Sequence, residues 1–404
     1  MADSSDSVLS AWLDAVAADE RLGPELRHRA FFPGVEASFG ELPAPLPEGI
    51  RAALAASGVA RLFAHQTAGL AAVERGENVL VTTPTASGKS LVFHLPPLVE
   101  AARQRDGKGA GKALFLFPLK ALGQDQKNKF NELARAAGFS KAEASAVVFD
   151  GDTPKSERAR IKRRPPRVLV TNPDMLHLGI LGQAGSWRAL LGDLKWIVID
   201  ELHVYRGIFG SHFHHVLRRL LRLAAAEGAQ PRIIASSATA ENAREFAEEL
   251  VGAPFTVIAE SGAPRPGRHV ALFGPQASPY TTALRLLVRL LEAGQKTIVF
   301  TKARRITELL YSWLRRQDPQ LARRVASYRS GFLPEERRNI ERRLFSGELD
   351  GVISTSALEM GIDVGGLDAA ILVGYPGSVM ATWQRSGRAG RSGRESLTGI
   401  VALP

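Results

Sequence analysis

From about residue 50 onward, apolar runs of four to six residues alternate with longer stretches of helical periodicity. Runs of this length, bounded by turn residues and separated by helices, predict strands buried on both faces, as in a parallel sheet covered by helices. One series places strands at 78–82, 113–117, 147–149, 168–171, 196–199 and 233–236. A second places them at 297–300, 325–328, 352–354, 370–373 and 399–402. Between the series, Ser261-Gly262-Ala263-Pro264-Arg265-Pro266-Gly267 interrupts any regular element. The expected fold class is α/β, with two tandem domains at 49–260 and 268–404 joined by a linker at 261–267. Residues 1–48 read as an N-terminal appendage outside either core: a helix over 8–18, then a Pro-rich connector at 42–47.

Composition supports this division. A chain of 404 residues that is 45% hydrophobic is too long for one ordinary core. Its 52 Lys+Arg against 41 Asp+Glu leave a net charge of +11, which makes a polyanion the natural partner, although a solvated basic surface gives the same number. The absence of cysteine excludes disulfides and thiolate metal sites and fits a reducing compartment. No apolar run approaches the ~20 residues that span a bilayer. The acidic, Ser-rich start lacks an export pattern, so a cytoplasmic location is expected. The chain stops at Pro404, directly after a predicted strand, which suggests a further C-terminal region.

Three segments carry chemistry. Thr83-Pro84-Thr85-Ala86-Ser87-Gly88-Lys89-Ser90 lies between a predicted strand and a helix, the context of a phosphate-binding loop. There, backbone N–H groups of Thr85 to Ser90 cradle phosphates, Lys89 neutralises β and γ charge, and the Ser90 hydroxyl ligates magnesium. Thr83 and Ala86 stand where such loops commonly carry glycine.

The second segment is Asp200-Glu201-Leu202-His203, at the end of an apolar strand. Asp200 is placed to bind magnesium through water, and Glu201 to orient and deprotonate an attacking water. His203 reads as a contact that relays the nucleotide's state, against the alternative of an ordinary loop histidine.

In the third, Gln384, Arg388 and Arg391 recur at a spacing of three to four and share one face. A guanidinium fork suits the developing charge of a transferring phosphoryl group, as in a finger supplied by a second domain. A basic Gly-rich loop touching a phosphate backbone is the alternative. The expected cofactors are ATP and Mg2+. The expected site is shared by the two domains, which close on ATP and reopen after hydrolysis.

With Ser236-Ser237-Ala238-Thr239 and the Gln-Arg-x-x-Gly-Arg-x-Gly-Arg run, Asp-Glu-Leu-His resembles the superfamily 2 helicases of the DExH type. Phe117-Pro118-Leu119-Lys120, Thr171-Asn172-Pro173-Asp174-Met175-Leu176-His177 and Ser356-Ala357-Leu358-Glu359-Met360-Gly361-Ile362-Asp363 are similar to the branch of the bacterial mitomycin-repair helicases and the fungal relatives of the human RecQ-like repair helicase. The resemblance covers residues ~60 to 400. It implies two RecA-like domains and an ATP-dependent DNA helicase or translocase running 3′ to 5′ on single-stranded DNA, in DNA repair. It also implies that Gln66 reads adenine beside a stacking Phe63, and that Asp363, after Gly361, meets the ribose. The four-cysteine C-terminal domain of that branch has no counterpart in this chain.

Ligands of parallel α/β sheets bind beyond the carboxyl ends of the strands. On that rule the single-stranded DNA track comprises Pro118 and Lys120, Gly151-Asp152-Thr153, Thr171-Asn172-Pro173, Thr301 and Arg304, Arg329-Ser330-Gly331, and Thr355-Ser356. Small hydroxyl and backbone donors suit phosphates and read no sequence. Ser237 and Thr239 are expected to couple this track to Asp200. An RNA-remodelling ATPase and a nucleotide-dependent binding switch remain alternatives. The twenty residues between Asp363 and Gln384 leave no room for a long strand-separating hairpin, so translocation is expected to exceed unwinding. His212, His214 and His215 sit on a helix with apolar and basic faces and read as packing, not as a zinc site.

Overall fold

The computed structural model describes residues 7–105, 111–238, 242–329, 331–358, 366–390 and 393–403. The chain divides into two units, one of Ala37–Ala263 and one of Met1–Glu36 with Pro264–Pro404. In chain order the strands are β1 (Leu26–Phe32), β2 (Val79–Val81), β3 (Lys112–Leu116), β4 (Ala146–Val148), β5 (Val168–Thr171), β6 (Leu194–Ile199) and β7 (Arg232–Ser236). They continue with β8 (Thr256–Ile258), β9 (Arg268–Phe273), β10 (Thr297–Phe300), β11 (Val325–Tyr328), β12 (Gly351–Ser354), β13 (Ala369–Val373) and β14 (Ser396–Val401).

The unit of Ala37–Ala263 holds a seven-stranded sheet in the order β4-β5-β3-β6-β7-β2-β8, parallel throughout. Successive side chains alternate between its two buried faces. Phe115, Val170 and Val198 pack under the helices Ala64–Glu74, Ser90–Arg105 and Lys120–Ala136. Leu114, Leu169, Ile197 and Ile199 pack under Gly207–Ala226 and Ala243–Val251. Each such fully buried side chain contributes about 1.5–3 kcal/mol, which is why near-continuous apolar runs rather than alternating ones mark these strands.

The other unit holds a seven-stranded sheet in the order β1-β9-β14-β13-β10-β12-β11, parallel except for the edge strand β1, which runs antiparallel to β9. This corrects the expected appendage. The helix Val8–Ala18 forms as its periodicity predicts, but Leu9, Trp12, Leu13 and Val16 are buried in the same core as Leu286 and Leu290. The indole N–H of Trp12 donates to the Arg289 carbonyl at 3.3 Å, and Thr282 donates to the buried Glu25 at 2.7 Å. As an edge strand, β1 buries none of its residues fully, so its sequence carries no apolar run to announce it. Residues 37–48 belong with the first unit instead. Both units match the tandem RecA-like fold implied by the family resemblance.

Candidate nucleotide site and nucleic-acid track

Strand order brings the nucleotide residues together. β7 lies between β6 and β2, so the segment after β7 separates the carboxylates that end β6 from the loop that follows β2. Each strand extends past its formal end: the Ser237 N–H donates to the Val81 carbonyl at 3.0 Å, and the Asp200 N–H to the Leu116 carbonyl at 3.1 Å.

The loop is tightly held. Nζ of Lys89 donates to the carbonyls of Thr83, at 2.9 Å, and Ser237, at 3.0 Å. The Thr83 and Ser87 hydroxyls lie 2.7 Å apart in the interior. Gly88 has φ +79°, and a Cβ there would sit 2.6 Å from Nε2 of Gln66. Ala86, at φ +63°, occupies the left-handed region without being glycine, a strain typical of functional sites. Burial pushes the Lys89 pKa down, while the charges of Glu201 and Asp200 oppose that shift.

Asp200 accepts from the Ser236 hydroxyl. Burial, then the charge of Glu201, push its pKa up to about 6, against Ser236 and Lys89, which lower it. Glu201 stands in the left-handed region at φ 51°, which turns the chain sharply after β6. His203 is buried, and Nδ1 accepts from the Ala238 N–H at 3.2 Å. Burial and Lys89 hold its pKa down at about 4, so the ring is neutral near pH 7, and its 3.5 Å approach to Glu201 is not an ion pair.

Two expected roles shift by a residue or a bond. The hydroxyl on Asp200 is that of Ser236, not Ser237; Ser237 offers its carbonyl to Lys89 and lies 3.4 Å from His203 Nδ1. Gln66 is 2% exposed and does not present an open amide edge. Its Oε1 accepts from the Phe63 N–H at 2.9 Å, capping the helix Ala64–Glu74, and its Nε2 donates to the Gly88 carbonyl at 3.0 Å. Phe63 stacks on Phe39, with ring centroids 5.5 Å apart.

The track residues follow three neighbouring strands in each sheet: β4-β5-β3 in the first unit and β10-β12-β11 in the second. In the first unit the expected track residues therefore lie on one half of the sheet's carboxyl edge and the phosphate loop on the other, with β6 and β7 between them. Lys120 pairs with Asp152 at 2.9 Å on the surface. The Asn172 side chain accepts from the Met175 N–H at 2.9 Å and starts the turn at Pro173. Two hydroxyls are turned inward: Thr171 donates to the Phe149 carbonyl at 2.6 Å, and Thr301 meets Thr307 at 2.7 Å, both in the interior. Thr153 likewise accepts from the Asp150 N–H at 2.9 Å. These threonines shape the loops; Pro118 and Gly151 follow β3 and β4 in the first unit, and Gly331, Thr355 and Ser356 follow β11 and β12 in the second. Arg329 bonds Glu308 at 2.9 Å and covers the Phe332 ring, and the nearby Arg304 guanidinium also faces Gly331.

Gln384 and Arg388 are buried at the end of and just after the helix Val379–Ser386. Arg385 lies over the Phe300 ring and Arg394 pairs with Asp368 at 2.9 Å, which gives those two arginines structural partners. Thr239, Ser330, Gly361, Asp363 and Arg391 lie outside the described residues. The sequence assigned no bonding role to Thr83, Ser236 or His65; the Ser-Ser pair at the end of β7 was the available signal for one of them. Among the described residues, no group of three His, Cys, Asp or Glu could hold a metal by itself, and in the His212–His215 segment His214 donates to the Leu250 carbonyl at 2.9 Å.

A phosphate loop and a strand-end acid pair on one edge of a parallel sheet, bridged by paired serines, define a P-loop nucleoside-triphosphatase unit. The model of the DEAD/DEAH box helicase family matches residues 63–246, and that of the helicase conserved C-terminal domain matches residues 282–393. With these two domains in order, the chain belongs to the superfamily 2 helicases, in the branch of the mitomycin-repair and Hrq1-type helicases. It is 39% identical over 378 residues to the ATP-dependent helicase YprA of Bacillus subtilis, an alignment covering 91% of this chain and 49% of the relative. It is 40% identical over 361 residues to the ATP-dependent helicase HRQ1 of Saccharomyces cerevisiae, covering 84% and 33%. The crystal structure of the DUF1998 helicase MrfA bound to DNA matches with a TM-score of 0.90 at 37% identity, over 98% of this chain and 56% of that one. The chain thus spans about half the length of these relatives, or less.

Proposed function

We propose that this chain is the motor core of an ATP-dependent DNA helicase or translocase that moves 3′ to 5′ along single strands, in DNA repair and in the cytoplasm. The observation that carries the proposal is the division of one sheet edge: Lys89, Asp200 and the serines after β7 gather on one half, and the track residues follow β4, β5 and β3 on the other. The DNA-bound state of MrfA supports DNA as the polymer. Among the described residues, no helix is long and apolar enough to cross a membrane.

The donor set fits magnesium: a half-buried carboxylate at Asp200 and a hydroxyl at Ser90, both hard oxygen ligands, with too few protein ligands for a cage and therefore a need for phosphate oxygens. When bound, the ion neutralises charge on the triphosphate. Lys89 binds the phosphates, and the backbone from Thr85 to Ser90 orients them. Glu201 orients the attacking water and takes its proton. Gln384, Arg388 and Arg391 act on the terminal phosphate, Asp363 on the ribose, and Phe63 on the base, while Gln66 holds the loop in register. His203 and Ser237 carry the state of the loop to the strand that separates the two half-edges.

The test is ATP hydrolysis by this chain without polymer and with single-stranded DNA. Stimulation of at least about 10-fold by DNA supports the proposal, because the track and the nucleotide share one sheet edge. A rate indifferent to DNA would refute it.

A further inference from the structure

The linker is not loose where it leaves the first unit. Gly262 is buried; its carbonyl accepts from the Ser38 N–H at 2.9 Å, and its own N–H donates to Nδ1 of His65 at 3.1 Å. The Ser38 carbonyl accepts in turn from the Ala64 N–H at 2.9 Å. A Cβ at position 262 would fall 2.5 Å from the Ser38 oxygen and 2.6 Å from the Ala64 nitrogen, so only glycine lets the linker lie this close to the helix Ala64–Glu74.

His65 itself is 1% exposed. Because Nδ1 accepts, the neutral ring carries its proton on Nε2. That nitrogen is buried without a hydrogen-bond partner among the described residues. Burial pushes the ring's pKa down, and the backbone of Ser87 opposes that shift, as a nearby carbonyl oxygen does and an N–H would not. The next residue, Gln66, already bonds Gly88 of the same loop.

We propose that His65 is a positioning residue that couples the phosphate loop to the linker, Nδ1 holding Gly262 while Nε2–H closes on the Ser87 carbonyl as bound phosphates draw the loop in. The proposal rests on the nucleotide-site reading above and deepens it. It gives the linker a direct polar connection to the loop, so filling the loop changes how firmly the linker is held.

The experiment compares the wild-type chain with His65→Ala and His65→Asn. Asparagine can accept from Gly262 as Nδ1 does, but it places no donor at the Nε2 position. Two quantities are read: kcat and KM for ATP at saturating single-stranded DNA, and hydrogen exchange at the Gly262 amide with and without AMPPNP. Both variants are expected to lose about 10-fold in kcat with KM within about 2-fold of wild type. Both are also expected to lose the extra Gly262 protection that AMPPNP confers on the wild type. Wild-type behaviour of His65→Asn would show that only the linker contact matters and would overturn the coupling, as would wild-type behaviour of His65→Ala. If the wild type shows no DNA-stimulated turnover, the proposed function fails, and exchange alone decides the coupling: an AMPPNP-dependent increment lost in both variants supports it, and an unchanged one overturns it.

Discussion

Nζ of Lys89 lies 3.0 Å from the carbonyl of Ser237, a residue 148 positions away and one strand over. The contact fixes the lysine between the loop and the segment after β7, so its charge is aimed before any phosphate arrives. Lys89→Ala removes the phosphate-neutralising charge and both of these bonds. Turnover is expected to fall by at least about 100-fold, with weakened ATP binding, read by steady-state hydrolysis and fluorescent-nucleotide titration.

Asp200 makes the site sensitive to pH. Its pKa stands at about 6, above the ordinary 3.8, because burial and Glu201 disfavour the charged form. The proposed magnesium role requires that charge, so KM for the magnesium–ATP complex is expected to rise as pH falls below about 6. The same shift has a sign for stability: a carboxyl whose folded pKa is raised destabilises the fold progressively as pH rises from about 4 through 6. Asp200→Asn should therefore raise the stability of the nucleotide-free protein at pH 8 by about 1 to 3 kcal/mol, with the difference gone below pH 4, while abolishing hydrolysis. Thermal melts across that range check both halves.

Ala86 holds φ +63° in the phosphate loop. Relief of left-handed strain outweighs the entropy that glycine adds to the unfolded chain, so Ala86→Gly is expected to stabilise by about 0.5 to 1 kcal/mol in denaturant titration.

Trp12 tests the place of the N-terminal segment. An appendage would tolerate its loss, but here the side chain is buried with Leu286 and Leu290 and its N–H is bonded. Trp12→Ala is expected to cost about 3 to 5 kcal/mol, measured by chemical unfolding.

Much of this was legible in the sequence, for identifiable reasons. β5 and β10 appear as predicted, residue for residue, because both are buried on every side and their runs are uninterrupted. Lys89, Asp200 and Glu201 were legible because a strand end followed by those residue types has few bland explanations. β1 was not, since an exposed edge strand with Arg27, His28 and Arg29 in its first half shows no apolar run of strand length. Nor was Gln66's second bond: a side chain that caps its own helix looks locally complete, and only the fold brings Gly88 to it. The exchange of roles between Ser236 and Ser237 follows from strand pleat, since adjacent residues point to opposite sides and sequence alone does not say which side faces Asp200.

Arg388→Ala is expected to leave ATP binding within about 2-fold and slow hydrolysis by about 10³-fold, the signature of a group acting on the transition state alone. Single-turnover hydrolysis alongside nucleotide titration separates the two effects.

The most direct test is the rate of ATP hydrolysis by the intact chain with no polymer, with single-stranded DNA and with single-stranded RNA, at fixed salt. The expected result is a low unstimulated rate, strong stimulation by DNA and weak stimulation by RNA. Equal rates in all three conditions would contradict a DNA-driven motor, and preferential stimulation by RNA would assign the machinery to a different polymer.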